Sequence, residues 1–125
     1  MKHVLALAAA IALGACATVP APGSPIRSDG LATLGQPTRV GVLVVTPQAV
    51  VEDSRCPINA RCVWAGRLVL TSRIDGAGWR ETVNLTLGEP YATHGTGLAL
   101  VSAEPGKMAG SPPSPPANLF GFEQR

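Results

Sequence analysis

The chain has 125 residues, enough for one domain once a targeting segment is removed. Its fourteen Gly and twelve Pro residues favour turns and short strands over long helices. The net charge is only +2, without a basic run or a patch of interleaved basic and aromatic residues. Composition therefore gives no support for a nucleic-acid partner or for membrane binding by charge alone.

The N-terminal segment has the features of a lipoprotein signal peptide. A short basic start, Met1-Lys2-His3, precedes an apolar run from Val4 to Leu13. This run is too short to cross a hydrocarbon core of about 30 Å as a helix, and the pattern is typical of a secretory signal peptide. Leu13-Gly14-Ala15-Cys16 then resembles a bacterial lipobox. The resemblance implies cleavage before Cys16 and acylation of that residue; an ordinary signal peptide with an incidental cysteine is the alternative.

The lipobox resemblance also predicts where the protein resides. Three acyl chains would hold it at a membrane essentially permanently. Ala17 follows the cysteine, and by resemblance to enterobacterial sorting this favours the outer membrane, facing the periplasm. We expect a signal peptide over residues 1–15, a flexible tether rich in Pro, Gly and Ser over 16–30, and one small β domain over 31–125. The oligomeric state is not indicated.

The cysteine count fits this interpretation. If Cys16 is lipidated, Cys56 and Cys62 remain as a pair that can form a disulfide in an oxidising compartment. The chain-entropy model gives roughly 2.4 kcal/mol for closing so short a loop. Two reduced thiols are the alternative. A zinc site would need two further ligands, and His94 is the only histidine left after processing, so we expect no metal or other cofactor.

The first half of the mature chain predicts short strands between Gly and Pro breaks. Leu31–Leu34 is followed by the Val-rich run Thr38–Thr46, which is bounded by prolines. Gly41 within this run suggests a bulge or a close backbone approach.

The alternation of apolar and polar residues is clearest in the segment that follows Cys62. A strand is predicted over Val63–Ile74, a hairpin connection over Asp75–Gly78 and a second strand over Trp79–Leu87. The residues predicted to face inward on these two strands are Leu68, Leu70, Ser72 and Ile74, then Val83, Leu85 and Leu87. Further strands are predicted over Gly97–Ser102 and at 117–122, with loops at 91–97 and 105–116. The predicted fold is all-β, a small antiparallel sandwich or barrel of about six or seven short strands with one disulfide-closed loop.

The stretch around the cysteine pair is the densest in special chemistry. Arg55 and Arg61 flank the cysteines, with Glu52 and Asp53 nearby. These charges can pair with one another or satisfy loop carbonyls; alternatively, Arg55, Arg61 and Ile58 contact a partner.

The aromatic residue that follows the second cysteine invites a packing interpretation. We expect Trp64 to pack in or near the core, with Ala65-Gly66 leaving room for its ring. A ligand platform is the alternative for this tryptophan. Trp79, beside the hairpin, is expected to be partly exposed.

The same stretch carries a family resemblance. Asp53-Ser54-Arg55-Cys56-Pro57, then four positions, then Cys62-Val63-Trp64-Ala65-Gly66 resembles a family of short uncharacterised bacterial secreted proteins and lipoproteins. The similarity extends from about Leu31 to the loop at Pro105. It implies the same β domain and no particular reaction. Members tend to end in a Tyr-x-Phe strand, from which Leu119-Phe120-Gly121-Phe122 departs.

No convincing catalytic set is visible, so we expect a protein that is not an enzyme. Glu52 and Asp53 are adjacent and would point to opposite faces of a strand, and His94 is a lone loop histidine. The leading hypothesis is an envelope lipoprotein that acts as a binding or structural β module. The alternative is an inhibitor of an envelope-directed lysozyme or protease, presenting the Cys56–Cys62 loop. A hydrolase using Asp53 or His94 is a third hypothesis.

Overall fold

The computed structural model describes residues 25–125, and these residues form an all-β structure, as predicted. There are eight strands rather than six or seven: β1 (Leu31–Ala32), β2 (Thr38–Val40), β3 (Leu43–Asp53), β4 (Leu68–Gly76), β5 (Trp79–Thr86), β6 (Pro90–Thr93), β7 (Thr96–Glu104) and β8 (Leu119–Gln124). The described residues contain no helix that is long and apolar enough to cross a membrane. The predicted signal peptide, Cys16 and the first part of the tether lie outside the described residues.

The strands form two four-stranded antiparallel sheets in a sandwich-like arrangement. One sheet has the order β2-β3-β4-β5 and the other the order β1-β8-β7-β6. Their inward faces share one core, in which the large side chains are almost fully buried: Leu43, Leu68, Leu70, Ile74, Leu85, Leu98, Leu100 and Phe120. Of the two predicted architectures, the structure therefore adopts the sandwich.

The alternation predicted after the cysteines is confirmed. On β4, the residues predicted to face inward are fully buried: Leu68, Leu70, Ser72 and Ile74. On β5 and just after it, Leu85 is buried, and Val83 and Leu87 are half-buried against the core. Period-two patterning predicts this sheet well because one of its faces contacts water.

The Val-rich run is a hairpin rather than one strand. β2 and β3 are joined by a turn at Gly41-Val42, where Gly41 has φ +58°. A Cβ at Gly41 would lie against the side chain of Gln124, so the close approach expected at this glycine is present. The sequence does not indicate this turn because its exposed residue, Val42, is apolar like the strand residues on either side.

Two other boundaries differ from the sequence prediction. Residues 90–93, assigned to a turn and a loop, form β6 and pair with β7. Arg27, assigned to the tether, forms a parallel bridge with Thr38, and the Gly30 carbonyl accepts a hydrogen bond from the Phe122 amide. The folded part therefore begins before Leu31.

The predicted C-terminal strand is present as β8. It lies between β1 and β7 and pairs with both of them. Phe120 and Phe122 are buried in the core, which explains why this segment is apolar.

Candidate functional site

Two long loops meet at one end of the sandwich. The disulfide loop, residues 54–67, joins β3 to β4, and the proline-rich loop, residues 105–118, joins β7 to β8. We call this the loop end. The far end is the opposite one, where short turns join β2 to β3, β4 to β5 and β6 to β7. Most of the residues singled out in the sequence lie at the loop end.

The disulfide loop is closed in two ways. Cys56 and Cys62 form the predicted disulfide, with a Cα–Cα distance of 5.9 Å. Below the bridge, the Ser54 amide donates to the Arg67 carbonyl at 2.8 Å and the Cys56 amide donates to the Ala65 carbonyl at 2.9 Å. The two strands of the loop are thus held together from the sheet up to the disulfide.

Gly66 is required by this close pairing. Its φ is +68°, and an added Cβ would lie 1.8 Å from the Ser54 carbonyl oxygen. Only glycine can adopt this positive φ without strain and also leave room for the Ser54 carbonyl. Gly66 is therefore structural, as expected, but it makes room for the backbone of Ser54 rather than for the ring of Trp64.

Arg55 joins the disulfide loop to the other sheet. Its Nε and Nη2 donate to the two carboxylate oxygens of Asp53 at 2.8 and 2.9 Å. Its Nη1 and Nη2 also donate to the carbonyl oxygens of Ala103 at 3.1 Å and Pro105 at 3.4 Å. The side chains of Arg55 and Asp53 are only 14% and 20% exposed. Of the two roles considered for Arg55, the structure favours ion pairing and carbonyl contacts over a contact with a partner.

The electrostatics of Asp53 follow from this pairing. The hydrogen bonds from Arg55 hold the pKa of Asp53 below its ordinary value, against the opposing effect of burial. Glu52 is paired with the more exposed Arg67. Both acidic residues of the stretch are thus ion-paired, and neither is positioned as a free general base.

Direct hydrogen bonds also join the two loops. The Ile58 amide donates to the Lys107 carbonyl at 2.9 Å. The amide side chain of Asn59 donates to the Ala109 carbonyl at 3.0 Å and accepts from the Ala109 amide at 2.7 Å. Lys107 Nζ donates to the Asp53 carbonyl at 3.1 Å. The roles of Asn59 and Lys107 had no local signal in the sequence, because their partners lie about fifty residues away.

Four large apolar side chains are exposed at the loop end. Ile58 is 77% exposed, Trp64 is 61% exposed and Val63 is fully exposed, with Met108 on the neighbouring loop also exposed. We call these four residues the apolar tip. Arg61 is exposed beside them and forms no ion pair with any residue in the range 25–125.

The prediction that Trp64 packs in or near the core is wrong. The strand expected from Val63 begins only at Leu68, so Trp64 lies in the loop, beyond the edge of the sheet. Trp79 is half-buried, in agreement with the prediction that it is partly exposed; its ring covers Gly76 and packs against the core.

His94 lies at the far end. Its ring stacks on that of Trp79 with 3.7 Å between centroids, and its Nδ1 is 2.9 Å from the hydroxyl of Thr93, which donates to Glu81. Asp53 and His94 are therefore at opposite ends of the molecule and cannot act on one substrate together. Among residues 25–125, no three His, Cys, Asp or Glu side chains are grouped to hold a metal ion.

The chain matches no protein-family model, no curated protein and no solved structure.

Proposed function

We propose that this chain is an envelope lipoprotein whose β-sandwich is a non-enzymatic binding module, with the loop end as its contact surface. The observation that supports this best is the combination of rigidity and exposure at the apolar tip. A disulfide, backbone pairing and the Arg55 contacts fix the loop, while Ile58, Val63 and Trp64 extend into solvent. Large exposed apolar side chains are typical of interaction sites, and a loop fixed before binding loses less entropy when it binds.

The lipid anchor is the second part of the proposal. It is supported by the resemblance of Leu13-Gly14-Ala15-Cys16 to a lipobox and by the cysteine count. Because Cys56 and Cys62 are joined to each other, Cys16 is the one cysteine left for another use. The outer membrane, facing the periplasm, remains our proposed location.

A second candidate function is inhibition of an envelope-directed lysozyme or protease. It is favoured by the exposure of Ile58 and Arg61 on a short closed loop. A trypsin-like protease would recognise Arg61, so the purified domain should inhibit such an enzyme, and Arg61→Ala should abolish the inhibition. Absence of inhibition across a panel of lysozymes and trypsin-like proteases would remove this candidate.

The proposed function is tested by intact mass and by crosslinking in cells. Protein extracted from membranes should carry the added mass of acyl chains, and Cys16→Ser should lack that mass and leave the membrane fraction. A photo-crosslinking residue at Ile58 should give products, whereas the same probe at Val42, an exposed residue of the far end, should give none. Wild-type protein without acyl mass, or equal crosslinking at both positions, would contradict the proposal.

A further inference from the structure

The apolar tip lies at the same end of the sandwich from which the N-terminal part of the described chain approaches β2. Arg27 forms a parallel bridge with Thr38, so the two segments run in the same direction. β2 runs antiparallel to β3, and β3 ends at the disulfide loop. The two described residues that precede Arg27, Pro25 and Ile26, therefore approach it from the loop-end side.

The distance between the entry point and the loop end can be estimated from strand geometry. Arg27 is level with Thr38, which pairs with Val45, and β3 continues from there to Asp53. β3 contains two register shifts here, and its partners on β4 run only from Ile74 to Leu68, so at about 3.3 Å per residue the span is roughly 20 Å. Cys16 precedes Pro25, the first described residue, by nine residues, a length of chain that reaches up to about 30 Å when extended. A lipid on Cys16 is thus able to reach the plane of the loop end.

The chemistry of the apolar tip fits a bilayer surface. Trp64 combines an apolar ring with an N–H donor, a combination that favours the membrane–water interface. Val63 and Ile58 on the same loop, and Met108 on the neighbouring loop, are also exposed apolar side chains. Glu52 and Asp53, which border the disulfide loop, are ion-paired, whereas the exposed Glu104 at the end of β7 has no ion pair among residues 25–125. The guanidinium of Arg61 is available to lipid phosphates, but the exposed apolar side chains, rather than net charge, carry the fit to a bilayer.

We infer that the loop end docks on the surface of the same membrane that holds the lipid anchor, with Ile58, Val63, Trp64 and Met108 inserted at the interface. The inference rests on the proposed function, because it names the partner of the same contact surface. The anchor raises the local concentration of the loop end at the bilayer, so a weak intrinsic affinity of the tip is sufficient. Docking would fix the orientation of the sandwich, with the far end directed away from the membrane.

The test uses the mature chain carrying Cys16→Ser, together with the acylated protein reconstituted in the same vesicles. The vesicles contain phosphatidylethanolamine and phosphatidylglycerol at a ratio of about three to one. Trp79→Phe leaves Trp64 as the sole indole, and Trp64→Phe leaves Trp79, which lies at the far end. Quenching of each indole by lipids brominated on their acyl chains then reports insertion of each end separately.

We expect brominated lipids to quench Trp64 in the acylated protein and to leave Trp79 unquenched. In the Cys16→Ser protein, Val63→Ser and Ile58→Ser should each lower the vesicle partition coefficient by about tenfold, since each removes most of one inserted apolar side chain. Val42→Ser is the matched control, because Val42 is 73% exposed, close to the 77% of Ile58, but lies at the far end, and it should leave partition unchanged. Equal urea midpoints would show that all three variants are folded.

Several results would overturn the inference. The first is the absence of Trp64 quenching in the acylated protein, and the second is equal quenching of Trp64 and Trp79. Protease inhibition that depends on Arg61, without quenching of Trp64, would assign the apolar tip to a protein partner. A dimer that is lost in Trp64→Ala would assign it to a second copy of the chain. If wild-type protein from cells lacks acyl chains while Trp64 of the Cys16→Ser protein still inserts, the proposed anchor fails and the docking surface stands.

Discussion

Replacing Arg55 should destabilise the domain more than replacing any other arginine of the loop end. Arg55→Met keeps the aliphatic part of the side chain and removes the hydrogen bonds to Asp53, Ala103 and Pro105. A hydrogen bond to a charged group contributes about 1.5–3 kcal/mol. Both charged side chains are at least four-fifths shielded from solvent, so water replaces the lost contacts poorly. We therefore expect the free energy of unfolding to fall by about 3 kcal/mol, where a small domain has only about 5–10 kcal/mol in total.

The measurement is urea unfolding of the mature chain carrying Cys16→Ser, followed by tryptophan fluorescence and circular dichroism. With a slope of about 1–1.5 kcal/mol per molar urea for a domain of this size, the midpoint should fall by about 2–3 M. Two control variants replace arginines that are more exposed than Arg55. Arg67→Met removes an exposed ion pair to Glu52 and should cost at most about 1 kcal/mol. Arg61→Met removes an unpaired exposed charge and should change stability by less than about 0.5 kcal/mol.

The difference between Arg55→Met and Arg67→Met shows whether the Arg55 contacts hold the disulfide loop to the second sheet. If Arg55→Met costs no more than Arg67→Met, the Arg55 contacts do not hold the disulfide loop to the second sheet. The proposed rigidity of the contact surface would then lose its main support besides the disulfide.

Three further predictions concern the same loop. Gly66→Ala should cost at least about 2 kcal/mol in urea unfolding because it combines backbone strain with a clash, whereas Gly78→Ala, which has a similar φ of +78° but open space around it, should cost about 1 kcal/mol. Replacing Cys56 and Cys62 together by serine should lower the free energy of unfolding by about 2 kcal/mol and should make the loop amides exchange faster with solvent. Because the folded-state pKa of Asp53 lies below its unfolded value, its ion pair stabilises the protein above about pH 4, and this contribution is lost as the pH falls through the folded-state pKa. In Asp53→Asn, stability should therefore fall less steeply with decreasing pH below about 4 than in the wild type.

Each of these predictions can fail in a specific way. Equal losses for the two glycine variants would mean that the close approach at Gly66 is not rigid. Unchanged amide exchange in the double serine variant would show that hydrogen bonds alone fix the loop. If the free energy of unfolding depends on acidic pH equally in the wild type and in Asp53→Asn, the pKa of Asp53 is the same in the folded and unfolded states.

The sheet that contains β4 and β5 could be predicted closely from the sequence. From Leu70 onward, the buried Leu70, Ser72 and Ile74 alternate with the partly exposed Thr71 and Arg73, because one face of this sheet packs on the core and the other meets water. The pairing of Cys56 with Cys62 was predictable as well, because only two cysteines remain once Cys16 is set aside. In both cases the signal is local in the chain.

The sequence predictions fail where the structure depends on contacts between residues that are far apart in the chain, or where an exposed residue is apolar. The turn at Gly41-Val42 is hidden because its exposed residue is apolar, and β6 is hidden because its pairing with β7 is not marked by alternation. The large ring of Trp64 and its small neighbours Ala65-Gly66 suggest a core position, whereas the path of the loop carries the side chain outward. The carbonyl partners of Arg55 and the partners of Asn59 and Lys107 are about fifty residues away, and a single sequence does not reveal such contacts.

The position of β8 has a consequence for how the protein reaches its folded state. Leu31 pairs with Gly121 and Ala32 with Phe120, so two segments almost ninety residues apart must meet to complete the second sheet. Pairing across so long a stretch is entropically costly and slows folding. Because a chain is synthesised from its N-terminus, Phe120 cannot enter the core until nearly the whole domain has been made. Until then β1 and β7 lack β8, the strand that lies between them, so the order of synthesis, rather than the strength of any single contact, sets the moment at which this sandwich can close.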